Sequence, residues 1–109
     1  MDLTKKKCVA CEGGMPPLSR VEADALLREV PEWLLAADTK KISREFKFSD
    51  FKSALAFVNR VGEVAEAEGH HPDIFLAYGR VRIELWTHAV CGLSENDFIV
   101  AAKISRLLS

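Results

Sequence analysis

The sequence predicts an α+β domain in which helices cover one face of an antiparallel sheet. Helix-like and strand-like segments follow one another along the 109 residues in the order helix, strand, strand, helix, strand, strand, helix. The short, hairpin-type connections between these segments favour antiparallel pairing. A chain of this length has room for one hydrophobic core. We therefore expect a single domain, residues 18–109, preceded by a flexible N-terminal tail, residues 1–17.

The predicted tail lacks the periodicity of the rest of the chain. It combines a run of lysines with paired glycines and paired prolines, a composition typical of a linker. Cys8 and Cys11 form an isolated CxxC motif within it. A structural zinc site would need a second pair of ligands, and a redox CxxC would normally begin a helix. We therefore interpret the motif as two thiols in a flexible terminus.

The first helix is predicted to begin after Ser19 and to run to about Val30. Ser19 and Glu22 have the spacing of a capping box, in which each side chain bonds the backbone N–H of the other residue. Pro31 ends the helix, because the residue before a proline is disfavoured in the helical conformation. The residues available for its inner face are Val21, Ala25, Leu26 and Val30.

Two strands are predicted after this helix. Residues 33–35 form a short apolar run, and residues 42–48 nearly alternate between apolar and polar side chains. Alternation with a period of two is typical of a strand that is buried on one face only. The apolar side of the longer strand consists of Ile42, Phe46 and Phe48.

The second helix is predicted over about residues 51–67. Ser49 or Asp50 can cap its first turn, and Gly69 can end it in the left-handed conformation. Apolar residues recur along it at helical spacing. The positions expected to face the core are Phe51, Leu55, Val58, Val61 and Ala65.

Residues 74–78 and 80–88 are predicted to form a β-hairpin that turns at Gly79. The second arm alternates cleanly, so Trp86 and His88 should lie on the face opposite the aliphatic side chains. An open sheet face that carries a tryptophan is typical of a ligand site or a protein interface.

The last helix should begin after Ser94, where Ser94 and Asp97 form a second capping box. Leu93 and Phe98 flank this box with the spacing of a hydrophobic staple, which fixes how the chain enters a helix. The residues expected to be buried along the helix are Phe98, Ala101, Ala102, Ile104 and Leu108.

The charge balance argues against a nucleic-acid-binding protein. The net charge is −1, from 15 basic and 16 acidic residues, whereas binding to phosphates requires a basic excess. No apolar run reaches the roughly 20 residues of a membrane span, and the first residues do not form a signal peptide. Three cysteines without a secretion signal fit a reducing compartment. We therefore predict a cytoplasmic protein with no nucleic-acid or membrane partner.

All three histidines of the chain fall between positions 70 and 88. Histidine, with an ordinary pKa of about 6.5, can both give and take a proton near neutral pH. Pro72 restricts His71 to extended conformations. Glu66 precedes His70 by four residues, so a continued helix would let its carboxylate orient that imidazole. This concentration of histidine predicts a proton-transfer site.

A metal centre is the competing interpretation of the histidines. Three imidazoles with one carboxylate could bind catalytic zinc. However, adjacent residues rarely direct both side chains at one ion, and neither an HxH nor an HExxH spacing occurs. We therefore favour acid–base chemistry over metal binding.

Several fixed spacings occur together in the second half of the chain. They are Glu66-x-x-x-His70-His71-Pro72, then Tyr78, then Thr87-His88, and finally Cys91-Gly92-Leu93-Ser94-x-x-Asp97. This combination resembles the pterin-4a-carbinolamine dehydratase family, and the resemblance covers roughly residues 18–108. It implies a four-stranded antiparallel sheet with three α-helices packed on one face, and subunits that associate as homodimers or homotetramers.

The resemblance also implies an activity. A hydro-lyase of this family removes water from a 4a-hydroxytetrahydropterin and yields the quinonoid dihydropterin, which is recycled after aromatic amino-acid hydroxylation. No metal or organic cofactor is implied. The alternatives are a protein-interaction module, such as a dimerisation cofactor or transcriptional coactivator, and an accessory protein that acts on another pterin such as molybdopterin.

The family's site residues are carried onto matching positions of this sequence. The implied catalytic residues are His70, His71 and His88, and the implied substrate-binding residues are Glu66, Trp33, Pro72 and Asp97. We expect His70 and His88 to transfer protons, and His71 to position the substrate or to share the acid role. Asp97 has a structural alternative, as the capping partner of Ser94.

Overall fold

A computed structural model describes residues 2–9 and 15–108 of the chain. In these residues an antiparallel sheet has the strand order β1-β2-β4-β3. Its strands are β1 (Leu34–Leu35), β2 (Ile42–Lys47), β3 (Asp73–Ala77) and β4 (Arg80–Leu85). The α-helices are α1 (Arg20–Leu27), α2 (Phe51–Glu68) and α3 (Glu95–Arg106). The predicted α+β class, with four strands and three helices, is confirmed.

The core lies between the helices and one face of the sheet. β2 and β4 pair along their whole length, with Ile42 opposite Leu85 and Phe46 opposite Val81. These four side chains are almost completely buried under the helices. On the other face Arg82 is exposed between Glu45 and Phe75, so this face carries charge instead of core side chains. The predicted alternation of β2 and β4 is confirmed.

The inner faces of α1 and α2 differ in part from the prediction. Ala23 is the buried residue of α1, whereas Val21 is 79% exposed. In α2, Phe51 and Leu55 are 45% and 40% exposed. Both helices carry more apolar residues than their contact with the core can cover, so part of each predicted inner face remains exposed to solvent. The buried residues of α2 are Ala54, Phe57, Val61 and Ala65.

α3 is buried on more sides than its sequence pattern predicts. Besides its contact with the core, it is covered by the N-terminal segment, which we define as residues 2–9. Leu3 begins a short 3₁₀ turn, Leu3–Lys5, and is only 2% exposed. Ile99 and Val100 are therefore buried in addition to the predicted Phe98, Ala101 and Ile104. Of the other two predicted positions, Ala102 is half-buried, and Leu108, beyond the end of the helix, is 49% exposed.

The N-terminal segment lies against α3, whereas we had predicted a flexible tail over residues 1–17. Polar contacts hold it along α3: Lys6 forms an ion pair with Glu95, and Arg106 donates a hydrogen bond to Thr4. Cys8 belongs to the docked segment, and Cys11 lies outside the described residues. The lack of periodicity in this segment follows from its irregular backbone, which still buries Leu3.

None of the helices in the described part of the chain is long and apolar enough to cross a bilayer.

An ion pair at the end of α2 also anchors the N-terminal segment. Glu68, whose side chain is 6% exposed, accepts hydrogen bonds from the Lys103 ammonium at 2.7 Å and the Cys8 backbone N–H at 3.0 Å. Burial raises the pKa of Glu68, but these two hydrogen bonds outweigh it and hold the pKa below the ordinary value of 4.5. The ionised carboxylate therefore stabilises the fold.

We expect Glu68→Gln to lower the free energy of unfolding by about 1–3 kcal/mol at neutral pH, since it removes the charge from two charge-assisted hydrogen bonds. The folded pKa is depressed, so this stabilisation is present above the ordinary pKa of 4.5 and is lost as pH falls through the folded value. Urea denaturation of both proteins between pH 7 and pH 3 measures the difference. A gap that stays constant over this range would contradict the assignment.

The hairpin turn requires a glycine at position 79. The Gly79 carbonyl accepts a hydrogen bond from the Phe48 N–H, and a Cβ on Gly79 would lie 2.7 Å from the Phe48 carbonyl oxygen. We expect Gly79→Ala to destabilise the fold by about 1–3 kcal/mol, measured by chemical denaturation, because backbone must move to relieve the overlap.

Gly62→Ala provides the matched control. Gly62 lies inside α2, and a Cβ there would meet nothing within 4 Å. Alanine is the better helix former, so this substitution should stabilise the protein by about 0.5–1 kcal/mol. Effects of the same sign at both glycines would show that the close approach at Gly79 does not constrain the turn.

Candidate active site

The three histidines meet at one cleft of about 310 Å³. The cleft lies where the end of α2, the chain after β4 and the first turn of α3 come together. Its lining consists of the histidines and Gly69, together with Val9, Trp86, Thr87, Ala89 and Asn96. The prediction that the histidines gather at one place is therefore supported by the geometry.

Local backbone features place the histidines at this junction. Gly69 ends α2 in the left-handed conformation, with φ 66° and ψ 27°, which turns the chain so that His70 leaves the helix axis. His88 begins a 3₁₀ turn, His88–Val90, at the end of β4. An isolated bridge between Thr87 and Gly92 closes that turn and directs the chain into α3.

His70 is held by a buried carboxylate. Its Nε2 lies 2.6 Å from Oδ1 of Asp97, whose side chain is fully buried. The other carboxylate oxygen, Oδ2, accepts from the Thr87 hydroxyl at 2.8 Å and from the Ser94 backbone N–H at 3.0 Å. An ionised Asp97 accepts the Nε2 proton of a neutral His70, which leaves Nδ1 as the ring atom that can take a proton.

Asp97 therefore combines two roles that the sequence presents as alternatives. It is the capping partner of Ser94 at the start of α3, and it orients His70. Both of its oxygens are engaged by protein groups, so it positions a histidine and does not face the cleft as a substrate ligand.

Glu66 contacts His71, not His70 as we had predicted. Oε2 of Glu66 and Nε2 of His71 form a hydrogen bond at the rim of the cleft. Both side chains are largely exposed, at 79% and 60%. The prediction assumed that the helix continued to His70, whereas Gly69 ends the helix in the left-handed conformation and the turned chain places His71, two residues later, beside Glu66.

His88 stacks on an aromatic ring. The centroids of His88 and Trp86 are 3.7 Å apart, and their planes are inclined by 28°. The Trp86 indole N–H donates to Asp73 on the neighbouring strand at 3.3 Å, and the Lys41 ammonium lies 6.0 Å from the ring centroid. The predicted placement of Trp86 and His88 on one side of the strand is consistent with this stack.

None of the four residues implied to bind substrate belongs to the cleft lining. Asp97 and Glu66 contact histidines instead, and Trp33 and Pro72 lie elsewhere. Trp33 is 1% exposed and belongs to the core, where its indole N–H donates to Ser105 at 2.9 Å. Pro72 is half-buried and follows His71 without reaching the cleft wall. The tryptophan of this site is Trp86, and its two-residue spacing from His88 along a strand was the available signal. Asn96 and Val9 carried no signal in the sequence.

The described cysteine of the CxxC motif is not an activated thiol. Burial, followed by the nearby Glu68 carboxylate, raises the pKa of Cys8 to about 12. A redox or nucleophilic cysteine requires the opposite shift, because the thiolate is the reactive form. Among the residues that the structure describes, no group of three or more histidine, cysteine, aspartate or glutamate side chains could hold a metal ion.

We expect Asp97→Asn to change the tautomer of His70. The amide oxygen would face the donors Thr87 and Ser94, and the amide N–H₂ would then donate to Nε2, so the ring proton moves to Nδ1. Nitrogen-15 NMR of the histidine side chains measures this change. We also expect the variant to lose about 1–3 kcal/mol of unfolding free energy, measured by chemical denaturation.

Glu66→Gln provides the matched control, since Glu66 contacts His71 instead. This variant should leave the His70 tautomer unchanged. An unaltered His70 ring in Asp97→Asn would contradict the assigned orientation.

The sequence of this chain is similar to that of known proteins. Residues 16–107 match the family described as pterin 4 alpha carbinolamine dehydratase. A protein of Halorhodospira halophila is 55% identical over 107 residues, which cover 98% of each chain. A protein of Methylococcus capsulatus is 51% identical over 105 residues, which cover 96% of this chain and 92% of that one. Both carry the provisional name pterin-4-alpha-carbinolamine dehydratase.

Solved structures share the fold. The crystal structure of a transcriptional coactivator/pterin dehydratase from Brucella melitensis is similar with a TM-score of 0.80 and 34% identity, covering 85% of this chain and 99% of that one. A pterin dehydratase-like protein identified as a RuBisCO assembly factor of the alpha-carboxysome has a TM-score of 0.60 and 22% identity. It covers 70% of this chain and 88% of its own, and at this identity the similarity concerns the fold alone.

Proposed function

Since the chain belongs to the pterin 4 alpha carbinolamine dehydratase family, we propose that it dehydrates a 4a-hydroxytetrahydropterin to the quinonoid dihydropterin. The observation that carries this proposal is the convergence of three histidines on one cleft, two of them paired with carboxylates. The cleft volume of about 310 Å³ is in the range of small-molecule sites.

The reaction requires two proton transfers. The C4a–O bond breaks as the departing hydroxyl takes up a proton and leaves as water. The N5–H proton is removed, and its bonding electrons form the C4a–N5 double bond. Two imidazoles can supply and accept these protons at neutral pH. Positioned acid–base groups contribute roughly 10²- to 10⁴-fold to the reaction rate.

We assign the base role to His70 and the acid role to His88. His70 is 12% exposed, and the buried Asp97 fixes its orientation, so a neutral ring presents Nδ1 as a proton acceptor. His88 is exposed and stacked on Trp86, which restrains its ring plane while leaving its edge accessible. These two residues approach the cleft from different elements, as acid and base on opposite sides of a flat substrate would need to.

His71 has a positioning role in this proposal. Its exposed ring is held at the rim by Glu66, where it can bond polar groups of the substrate. The activity makes the protein a hydro-lyase in tetrahydropterin recycling, and a cytoplasmic location would fit that role. Both the recycling role and the location rest on the resemblance and the sequence.

We also propose that the protein forms homodimers or homotetramers. Large apolar side chains are exposed on two surfaces, and contiguous apolar surface is typical of an interface. Phe51 and Leu55 lie on the outer side of α2, and Phe75 and Tyr78 lie on the β3–β4 hairpin at the sheet edge. Subunit contacts at these surfaces would remove them from water.

A protein-interaction module is the second candidate function. The structurally similar Brucella melitensis protein is titled both a transcriptional coactivator and a pterin dehydratase. The exposed apolar side of α2 offers a surface for a protein partner. Stoichiometric capture of a transcription factor without any pterin turnover would favour this alternative.

Stopped-flow measurement of 4a-carbinolamine decay, with and without protein, tests the proposed reaction. We expect the wild-type protein to accelerate decay and His70→Ala to lower kcat by about 10²- to 10³-fold, since it removes the base. His71→Ala should mainly raise KM, since it removes a group that binds substrate in both ground and transition states.

Two outcomes would reject parts of this proposal. Absence of acceleration by the wild-type protein would reject the dehydratase function itself. Full activity of a folded His70→Ala protein would reject the assigned base while leaving the reaction in place.

A further inference from the structure

The cleft contains one apolar residue from outside the family match. Val9 lies in the N-terminal segment, ahead of residues 16–107, and lines the cleft together with His70 and His88. It is 72% exposed, whereas Leu3 at the other end of the same segment is 2% exposed. The segment thus buries one apolar side chain against α3 and leaves the other accessible at the cleft.

One side chain, that of Asn96, bonds both backbone groups of Val9. The Val9 N–H donates to Oδ1 of Asn96 at 3.1 Å, and Nδ2 of Asn96 donates to the Val9 carbonyl at 2.6 Å. Asn96 is only 5% exposed, so these bonds are shielded from water. The reciprocal pair fixes both the position and the direction of the chain at Val9.

A second anchor holds the preceding residue. Glu68 accepts the Cys8 N–H, and its charge is balanced by Lys103 on α3. Cys8 Sγ also lies 3.7 Å from the Asn96 carbonyl, so the thiol packs against the same turn. The backbone of residues 8–9 is therefore fixed to both α2 and α3.

Each anchor lies next to the proposed catalytic machinery in the chain. Asn96 directly precedes Asp97, which orients His70, and Glu68 is separated from His70 by Gly69 alone. The same turn of α3 therefore positions Val9 and the His70 partner. A segment that only covered α3 would need the buried Leu3. It would not need an exposed valine held at a fixed position beside the histidines.

We propose that Val9 is a substrate-contacting residue that forms an apolar wall of the histidine cleft, with Asn96 and Glu68 as its positioning residues. This inference rests on the proposed function and deepens it. A flat heteroaromatic ring in the cleft would cover apolar surface of Val9, which favours binding in ground and transition states alike. The wall also limits the size of the ring substituent that the cleft accepts.

Steady-state kinetics of Val9→Ala and Val9→Trp test the wall. We expect Val9→Ala to raise KM about threefold to tenfold while kcat changes by less than about twofold, since it removes uniform binding. Val9→Trp should discriminate by about tenfold or more against a 4a-hydroxytetrahydropterin with a long C6 side chain, relative to the one with a C6 methyl group.

Val21 offers the matched control. It is an exposed valine, 79% accessible, on α1 and outside the cleft lining. Val21→Ala and Val21→Trp should leave both kinetic constants unchanged. If the Val9→Ala and Val9→Trp proteins have the same kinetic constants as the wild-type protein, the proposal is overturned.

Asn96→Asp tests the positioning role separately. An acidic residue is favoured in the first turn of a helix, so α3 should be retained, while the donor to the Val9 carbonyl is lost. We expect faster hydrogen exchange at residues 8–9 and the same rise in KM as in Val9→Ala. Faster exchange with an unchanged KM would show that the segment is structural only.

Methyl NMR of the wild-type protein supplies a readout that does not depend on turnover. We expect 7,8-dihydrobiopterin to shift the Val9 methyl signals, assigned with Val9→Ala, as well as the His70 and His88 ring signals. Shifted histidine signals with unshifted Val9 methyls would overturn the wall and retain the site. If no signal shifts, the proposed pterin function fails and the wall fails with it.

Discussion

The arrangement of the candidate site depends on the contacts of one fully buried carboxylate, that of Asp97. It accepts hydrogen bonds from the Thr87 hydroxyl after β4 and from the Ser94 backbone at the start of α3, and it contacts His70 after α2. A buried charge is tolerated only when such partners satisfy it. These partners come from three separate segments, so the cost of burial is offset only when the segments meet correctly.

This constraint explains why the candidate site lies where it does. The sheet brings the end of β4 beside the start of α3, and Gly69 directs the chain from α2 toward the same point. His88 and Trp86 then stack at the strand end, while Glu66 and His71 pair at the rim. The cleft is thus assembled from the ends of rigid elements, which is how precise acid–base geometry is usually maintained.

Local patterns in the sequence predicted most elements but not all contacts. The capping boxes at Ser19 and Ser94 and the left-handed Gly69 were predictable because each involves neighbouring residues. The role of Trp33 was not, because a core tryptophan and a ligand-binding one look alike without tertiary contacts. Docking of residues 2–9 was hidden for a related reason: Asn96 and Glu68 bind backbone groups, which any residue type presents.

The double use of the first turn of α3 has a consequence for local stability. Neighbouring residues of this turn cap the helix, orient His70 and anchor Val9, so fraying of a single helical turn would disrupt the proposed base and the position of Val9 together. Local openings of this kind need less free energy than global unfolding. The durability of the site is therefore set by the end of one helix, while the sheet beneath it can remain intact.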